Sequence, residues 1–275
     1  MRPEEITVTV VGLGVIGGSF AQGLKNMGVS RIYGIDNNKE TLRKAKESGI
    51  VDEAFENGKI PLAESDLVII SLYPDLLKQL SLENNENFKK NSITTDVTGI
   101  KEKVLHEVKP KLRKDVDFIL GHPMAGREKR GIDYADSGVF NNANYILIKD
   151  GNKEENVDLL TEIINRLGFK SINYLEAEEH DEIIAFTSQL THAIAVSLIN
   201  SDDNKYDTNK FIGDSYRDLT RIAKINEDLW SELFLGNKEN LLKMIQQFEN
   251  ELDIIKEALK NNDIGTLKEQ FIIST

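Results

Sequence analysis

The 275-residue chain contains no cysteine. That excludes disulfides, thiol nucleophiles and thiolate metal ligands, and it fits a reducing cytoplasm. Positive charge is also scarce: 34 Lys and Arg stand against 46 Asp and Glu, for a formal net charge of −12. Such a balance argues against general binding of nucleic acid or of an anionic membrane surface. A small anionic substrate is still allowed, because it responds to local arginines more than to net charge. No uninterrupted apolar run approaches the length needed to cross a membrane. The opening Arg-Pro-Glu-Glu runs directly into a glycine-broken strand, unlike a signal peptide. Histidines and carboxylates lack tight metal-ligand spacing, so no metal is expected. Internal repeats and low-complexity tracts are missing too. These absences describe a soluble intracellular protein.

What is present is organised around one stretch. Thr7 to Val11 is a short β-branched run, suited to a strand buried on both faces. Gly12, Gly14 and Gly17 follow in G-x-G-x-x-G spacing, and Ile16, Phe20 and Leu24 then switch to helical spacing. In a dinucleotide-binding turn the first glycine makes the bend, the second admits the pyrophosphate and the third lets helix pack on strand. Unpaired N–H groups at the helix start, those of Val15 and Ile16 among them, then face the phosphates. A second strand, Arg31 to Ile35, ends in Asp36, about 20 residues past the glycines, where a carboxylate can hydrogen-bond an adenosine ribose. Asp36 would repel a 2′-phosphate, so NAD is favoured over NADP, although Arg31, Lys39 and Arg43 lie close in sequence.

Further strands are expected at Asp66–Ser71, Ser92–Asp96, Asp117–Leu120, Asn144–Ile148 and Ser171–Leu175, with helices between most of them. Alternation without hairpin signals implies βαβ units and a doubly wound parallel sheet of Rossmann type. Ligands gather at the carboxyl ends of such strands, where Ser71, Asp96 and His122 are expected. From Glu176 onward the chain reads as helical, over Glu178–Asn200, Asn209–Ala223, Glu227–Leu235 and Lys238–Leu259. The expected organisation is therefore a dinucleotide-binding domain over residues 1–175 and an all-α domain over residues 176–275. Leu241, Ile245, Phe248, Leu252, Ile255 and Leu259 form a heptad-like seam. Packing within the helical domain and packing in a homodimer would both produce it, and a dimer is favoured.

Three groups could carry chemistry. His122 lies between Gly121 and Pro123, and proline stiffens the backbone before it. A histidine near its ordinary pKa of about 6.5 accepts a proton at neutral pH; the alternative is a loop histidine bonded to local backbone. On the helix Glu178–Asn200, a period of about 100° per residue puts Asp181, Ser188 and His192 on one face. So apolar a helix should be well buried, which leaves its polar stripe to form an internal network or to line a cavity. Arg217 and Arg221, four apart on a helix, suit capture of a carboxylate, or else make a solvated face paired with Asp218. Trp230, the only tryptophan, is by default a packing residue between helices. His106 sits on a polar helix among Lys101, Glu102, Lys103 and Glu107 and is given no role.

Taken together, GLGVIGGS at Gly12–Ser19, GHPMAGRE at Gly121–Glu128, SQLTH at Ser188–His192 and RDLTRIA at Arg217–Ala223 resemble the prephenate dehydrogenase family. Trp230 also falls where that family has one. The resemblance implies oxidation of prephenate, or of arogenate in some members, with NAD or NADP, and release of CO2 as the ring becomes aromatic. It casts His122 as the group accepting a hydrogen bond or proton from the ring hydroxyl, and Arg221 as the holder of the ring carboxylate. His192 would orient the substrate's other end, with Ser188 and Arg217 as further candidate contacts. Cofactor contacts would come from Gly12, Gly14, Val15, Ile16, Gly17, Asp36, Ser71 and Asp96.

The chain departs from the family pattern in places. Where members often carry D-x-G-S-x-K, it has Asp96-Val97-Thr98-Gly99-Ile100-Lys101, which makes Thr98 the candidate for the missing serine hydroxyl. The family's S-H-L-P-H is here Ser188-Gln189-Leu190-Thr191-His192. Asp214 stands near the segment expected to meet the substrate's anionic end, where arogenate carries an amine and prephenate a keto group. Because the sequence ends just after the helical segment, no appended regulatory domain is expected, and any tyrosine inhibition is expected to act at the active site. The expected function is cytoplasmic, NAD-dependent oxidative decarboxylation of prephenate to 4-hydroxyphenylpyruvate. Its rivals are arogenate dehydrogenase, a β-hydroxyacid dehydrogenase, for which Lys210 and Lys224 lack context, and a non-catalytic NAD(H)-sensing module.

Overall fold

Each β-branched run becomes a strand in the computed structural model, which describes residues 2–126, 129–203 and 205–274. Arg127 and Glu128, which end the GHPMAGRE segment, lie outside these residues. In chain order the first unit contains β1 (Thr7–Val11), α1 (Val15–Met27), β2 (Arg31–Ile35), α2 (Lys39–Glu47), β3 (Glu53–Phe55), α3 (Pro61–Glu64), β4 (Leu67–Ile70) and α4 (Pro74–Glu83). There follow β5 (Ile93–Asp96), α5 (Glu102–Glu107), β6 (Asp117–Pro123), β7 (Asn144–Ile148), α6 (Glu154–Arg166) and β8 (Ser171–Leu175). The sheet order is β3-β2-β1-β4-β5-β6-β7-β8. β1 pairs in parallel with both β2 and β4. The winding therefore reverses between β1 and β4, and the crevice at that reversal is where dinucleotides bind in such sheets.

Side chains alternate between two core layers. Val8, Val10, Leu67, Ile69 and Ile119 face one; Val11, Val68, Ile70, Phe118 and Leu120 face the other. Each fully buried aliphatic side chain contributes roughly 1.5–3 kcal/mol, against at most about 1 kcal/mol for an exposed ion pair. Burial, and not the many surface ion pairs, holds this unit together.

Two features differ from the all-parallel expectation. β7 runs antiparallel to β6, with His122 opposite Ile146; among the described residues between them, only short 3-10 turns occur and no helical crossover. β8 then pairs with β7 in parallel through α6. The edge strand β3 was not anticipated; three residues are too few for a period-2 pattern.

The remaining helices are α7 (Ala177–Ile184), which widens into a π-helical turn over Ala185–Leu190, then α8 (Thr191–Asn200), α9 (Asp214–Thr220), α10 (Glu227–Gly236), α11 (Lys238–Lys260) and α12 (Ile264–Ile273). The first compact unit extends past Leu175 to Asp181 and takes in Ile225–Leu233. The reasons are local. Ala177 joins a core layer of the sheet, His180 and Asp181 are buried, and Asn226 Nδ2 donates to the Tyr73 hydroxyl. The second unit comprises Glu182–Lys224 and the chain from Phe234, around Ala185, Leu190, Leu241 and Met244.

The helix expected to be well buried is not. Ile183, Phe186 and Ile199 are 44%, 58% and 43% exposed, since its apolar residues lie all round and one unit covers only part of them. By length and composition alone, Ala177–Asn200 would suffice to cross a membrane, so the expectation above holds only for uninterrupted apolar runs. Polar groups interrupt this one, and Gln189 Oε1 accepts from Asn237 Nδ2 at 3.0 Å inside the unit. Along the expected seam of α11, Leu241 is buried while Leu252 and Leu259 are 51% and 61% exposed.

Candidate active site

The glycine turn has the shape its spacing implies. Gly12 has φ +81°, and a Cβ there would lie 2.3 Å from the Ser71 carbonyl oxygen. A Cβ on Gly17 would meet the Gly12 carbonyl at 1.9 Å, so both glycines are fixed by close approach of backbone. A Cβ on Gly14 would meet nothing. Gly14 caps α1 with no side-chain hydrogen bond, and the first N–H groups of a 13-residue helix open beside that space. The chemistry of these donors fits a pyrophosphate. Val15 turns its side chain into the core and Ile16 is half-buried, so both could serve such a ligand through backbone N–H groups. Ser71 packs against the turn.

Asp36, directly after β2, accepts from the Leu13 N–H at 2.8 Å and the Asn38 N–H at 2.9 Å. The three nearby cations are engaged elsewhere. Arg31 starts the strand that Asp36 follows and bonds the Tyr33 hydroxyl, Arg43 pairs with Glu40 and Glu47, and Lys39 pairs with Glu56. That arrangement matches a ribose with free hydroxyls better than a 2′-phosphate.

His122 belongs to β6, not to a loop. β6 outruns its neighbour: its pairing with β5 ends at Ile119, while its pairing with β7 continues to Pro123. The half-buried imidazole is thereby carried past the carboxyl end of the sheet on a paired strand. Its Nδ1 lies 2.8 Å from His180 Nε2, and His180 Nδ1 lies 2.7 Å from Asp181 Oδ1. Burial, then His180 and the Lys101 cation, hold the His122 pKa well below its ordinary value. This corrects the expectation of an unperturbed histidine: the ring is neutral at pH 7 and can accept a proton or hydrogen bond.

Beneath it lies a buried ionic anchor. Lys101, read from sequence as part of a polar helix, is fully buried. Its ammonium donates to Asp96 Oδ2 at 2.5 Å, Thr98 Oγ1 at 3.1 Å and the Gly121 carbonyl at 2.6 Å. Asp96 also accepts from the N–H groups of Thr98 and Gly121. Asp96, expected at the cofactor, is therefore sealed inside and saturated by internal donors. The Thr98 hydroxyl, expected to stand in for the family's serine, turns into the same anchor and donates to Asp96. Position 99 is what faces this imidazole: a Cβ on Gly99 would lie 3.8 Å from His122 Nε2.

The second unit carries the other expected residues. His192 Nδ1 lies 2.8 Å from the Ser188 carbonyl, so that nitrogen donates. A count of 100° per residue does not carry from Asp181 to His192, because the π-helical turn Ala185–Leu190 lies between them. Arg217 pairs with Asp214 at 2.6 Å, not with Asp218, in an exposed ion pair. Arg221 is exposed and opens a 3-10 turn where α9 ends, so the two arginines do not share one continuous α-helix. Among the described residues, no cluster of three or more His, Asp or Glu side chains could hold a metal ion.

Sequence reasoning missed Lys101 and His180. Part of what encloses them is distant in sequence: the Gly121 carbonyl for Lys101, whose N–H also reaches Asp181, and His122 for His180. The lysine of the D-x-G-S-x-K pattern was the one available signal.

The comparisons point to one family. The family model described as "Prephenate dehydrogenase, nucleotide-binding domain" matches residues 20–173, and "Prephenate dehydrogenase, dimerization domain" matches residues 176–272. A prephenate dehydrogenase of Bacillus subtilis (strain 168) is 30% identical over 98% of this chain and 75% of its own length. The structure of prephenate dehydrogenase from A. aeolicus with hydroxyphenyl propionate and NAD+ superposes with TM-score 0.90. It is 30% identical and covers 100% of this chain and 96% of that one. Synechocystis arogenate dehydrogenase gives TM-score 0.83 at 26% identity, over 98% of this chain and 97% of that one. With a dinucleotide turn, a neutral histidine at the sheet's carboxyl end and family matches along nearly its whole length, this chain belongs to the prephenate dehydrogenase family.

Proposed function

We propose that the protein catalyses NAD-dependent oxidative decarboxylation of prephenate to 4-hydroxyphenylpyruvate, in the cytoplasm, for tyrosine synthesis. The observation that carries this reading is the neutral His122 ring, held on a paired strand beyond the sheet's carboxyl end. NAD supplies the hydride acceptor. Gly14 and the N–H groups of Val15, Ile16 and Gly17 would hold its pyrophosphate, and Asp36 would hold the adenosine ribose. His122 Nε2 accepts the hydrogen of the ring hydroxyl as hydride leaves the carbon that bears it. The electron pair of the C–CO2 bond then completes the aromatic ring, and the borrowed proton returns to the phenol oxygen. The chain's share is positioning and electrostatics; aromatisation drives the step.

Arg221 is the proposed holder of the ring carboxylate, with His192, Ser188 and Arg217 toward the other end of the substrate. Residues 1–175 would bind the dinucleotide, and residues 176–275 would serve substrate binding and form a homodimer. The dimer reading is supported by the family's dimerization-domain match and by the exposed Phe186, Leu252, Leu259 and Phe271. A dimer interface is also a better account of the bare face of Ala177–Asn200 than a lipid one.

Arogenate dehydrogenase is the second reading, favoured by similarity to the Synechocystis enzyme and by the carboxylate of Asp214. One assay separates them: NADH or NADPH formation with prephenate and with arogenate, each with NAD and NADP. Turnover with prephenate and NAD is expected. Turnover with arogenate alone would reassign the substrate. Silence in all four, with NAD still bound, would return an NAD(H)-sensing role.

A further inference from the structure

We propose that His180 and Asp181 are positioning residues that hold His122 as its Nδ1–H tautomer, leaving Nε2 as its single acceptor nitrogen. The inference deepens the reading above, since only that tautomer can take the hydrogen of a substrate hydroxyl at Nε2.

The argument starts from Asp181. Its Oδ1 accepts the Lys101 N–H at 2.8 Å and its Oδ2 accepts the Glu102 N–H at 3.0 Å. Backbone N–H groups only donate, so they select the acceptor form of the carboxylate. His180 Nδ1, 2.7 Å from the same Oδ1, must then carry a hydrogen. A neutral His180 with its proton on Nδ1 has a bare Nε2, and His122 Nδ1, 2.8 Å away, must donate to it. Each step leaves one choice, and the last places the lone pair of His122 on Nε2.

The surroundings keep His180 neutral. It is completely buried, and burial, with the Lys101 cation, lowers its pKa although Asp181 works in the other direction. The other charged and titratable groups near the pair are Lys101 after β5, Asp96 at the end of β5, Glu102 at the start of α5 and Tyr145 on β7. Lys101 opposes a proton on either ring, while Asp96 favours one on His180. Burial pushes up the Tyr145 hydroxyl pKa, then Asp96 adds to it, so that group stays neutral. Burial and Asp181 raise the pKa of Glu102. A doubly protonated His180 would reverse the relay, forcing His122 to donate from Nε2.

The test has a spectroscopic and a kinetic arm, both on the full chain. With 15N-labelled histidine, the four imidazoles can be assigned by single substitutions and their protonated nitrogens read at pH 7. His122 is expected as Nδ1–H with bare Nε2. His180→Phe keeps a ring but removes the acceptor; His122 should then populate both tautomers, and kcat should fall about 10- to 100-fold, as when an orienting partner is lost, with KM changed less than about threefold. His180→Gln places a carbonyl oxygen where Nε2 was and should restore kcat to within about threefold of wild type. Asp181→Asn lets an amide donate to His180 Nδ1, which should invert the relay and cost more kcat than His180→Phe. Wild-type His122 carrying its hydrogen on Nε2, or a folded His180→Phe with unchanged tautomer and kcat, would overturn the proposal. If Asp181→Asn fails to fold, the two His180 variants decide. The 15N signals do not depend on turnover, so a wild type inactive on every substrate would sink the proposed function and leave the relay standing on its spectrum.

Discussion

Lys101 Nζ lies 2.5 Å from Asp96 Oδ2, and neither side chain has any exposed surface. Such a pair is weak evidence of net stability, because desolvating two charges offsets most of their attraction. Breaking it is another matter. Lys101→Met should cost about 3–5 kcal/mol, the usual effect of stranding one buried charge, read as a lower denaturant midpoint. A Lys101→Met, Asp96→Leu double variant that recovers part of the loss would confirm that the stranded carboxylate is the cause. An unchanged midpoint in the single variant would refute the anchor.

The histidine pair predicts how stability varies with pH. Burial holds the pKa values of His122 and His180 below 6.5 in the folded chain. Below pH 6.5 the unfolded chain binds protons that the folded chain refuses, so stability rises with pH there. Their contribution is full above pH 6.5 and is lost as the pH falls toward the folded values. Tm should therefore drop between pH 6.5 and 5.5, and less so in His180→Gln. The acid limb of kcat/KM should likewise fall below pH 6.5.

His122→Asn should remove the base while leaving an amide to donate to His180. A loss of about 10²–10⁴ in kcat is expected, with the melting temperature little changed. Retention of more than a tenth of the rate would remove His122 from the reacting hydroxyl.

The glycine turn separates folding from binding. Gly17→Ala drives a methyl into the Gly12 carbonyl and should destabilise the chain by about 1–3 kcal/mol. Gly14→Ala meets no protein atom, so it should fold normally and weaken NAD binding, measured by calorimetry. Equal behaviour of the two would contradict the open space at Gly14.

Arg221→Ala should raise KM about tenfold or more, given roughly 1.5–3 kcal/mol for hydrogen bonds to a charged group. Stability should shift by less than about 0.5 kcal/mol, as at other exposed positions. An unchanged KM would reject its carboxylate role.

Most of the sheet was legible because its strands are β-branched runs with alternating burial, and because the glycine spacing comes with a strand before it and a helix after. The direction of β7 was not, since pairing depends on how the chain returns and not on Asn144–Ile148 themselves. α12 lies beyond the last helix expected, which ended at Leu259. In the candidate site, Gly121-His122-Pro123 drew attention to the proposed base, whereas Asp96 was placed at its strand end without the internal donors that surround it. Its partner Lys101 looks like any surface lysine, and only the tertiary fold brings the Gly121 carbonyl and the Thr98 hydroxyl around it.

The π-helical turn at Ala185–Leu190 has one more consequence. Its i→i+5 bonds store a surplus residue relative to an α-helix. Removing one residue there would let the helix close into regular form and rotate Thr191–Asn200 by about 100° relative to Glu182–Ile184. The direction in which His192 points is thus encoded by chain length as well as by side chains. Descendants of this gene could redirect that group with a single in-frame codon deletion, without altering any residue of the site.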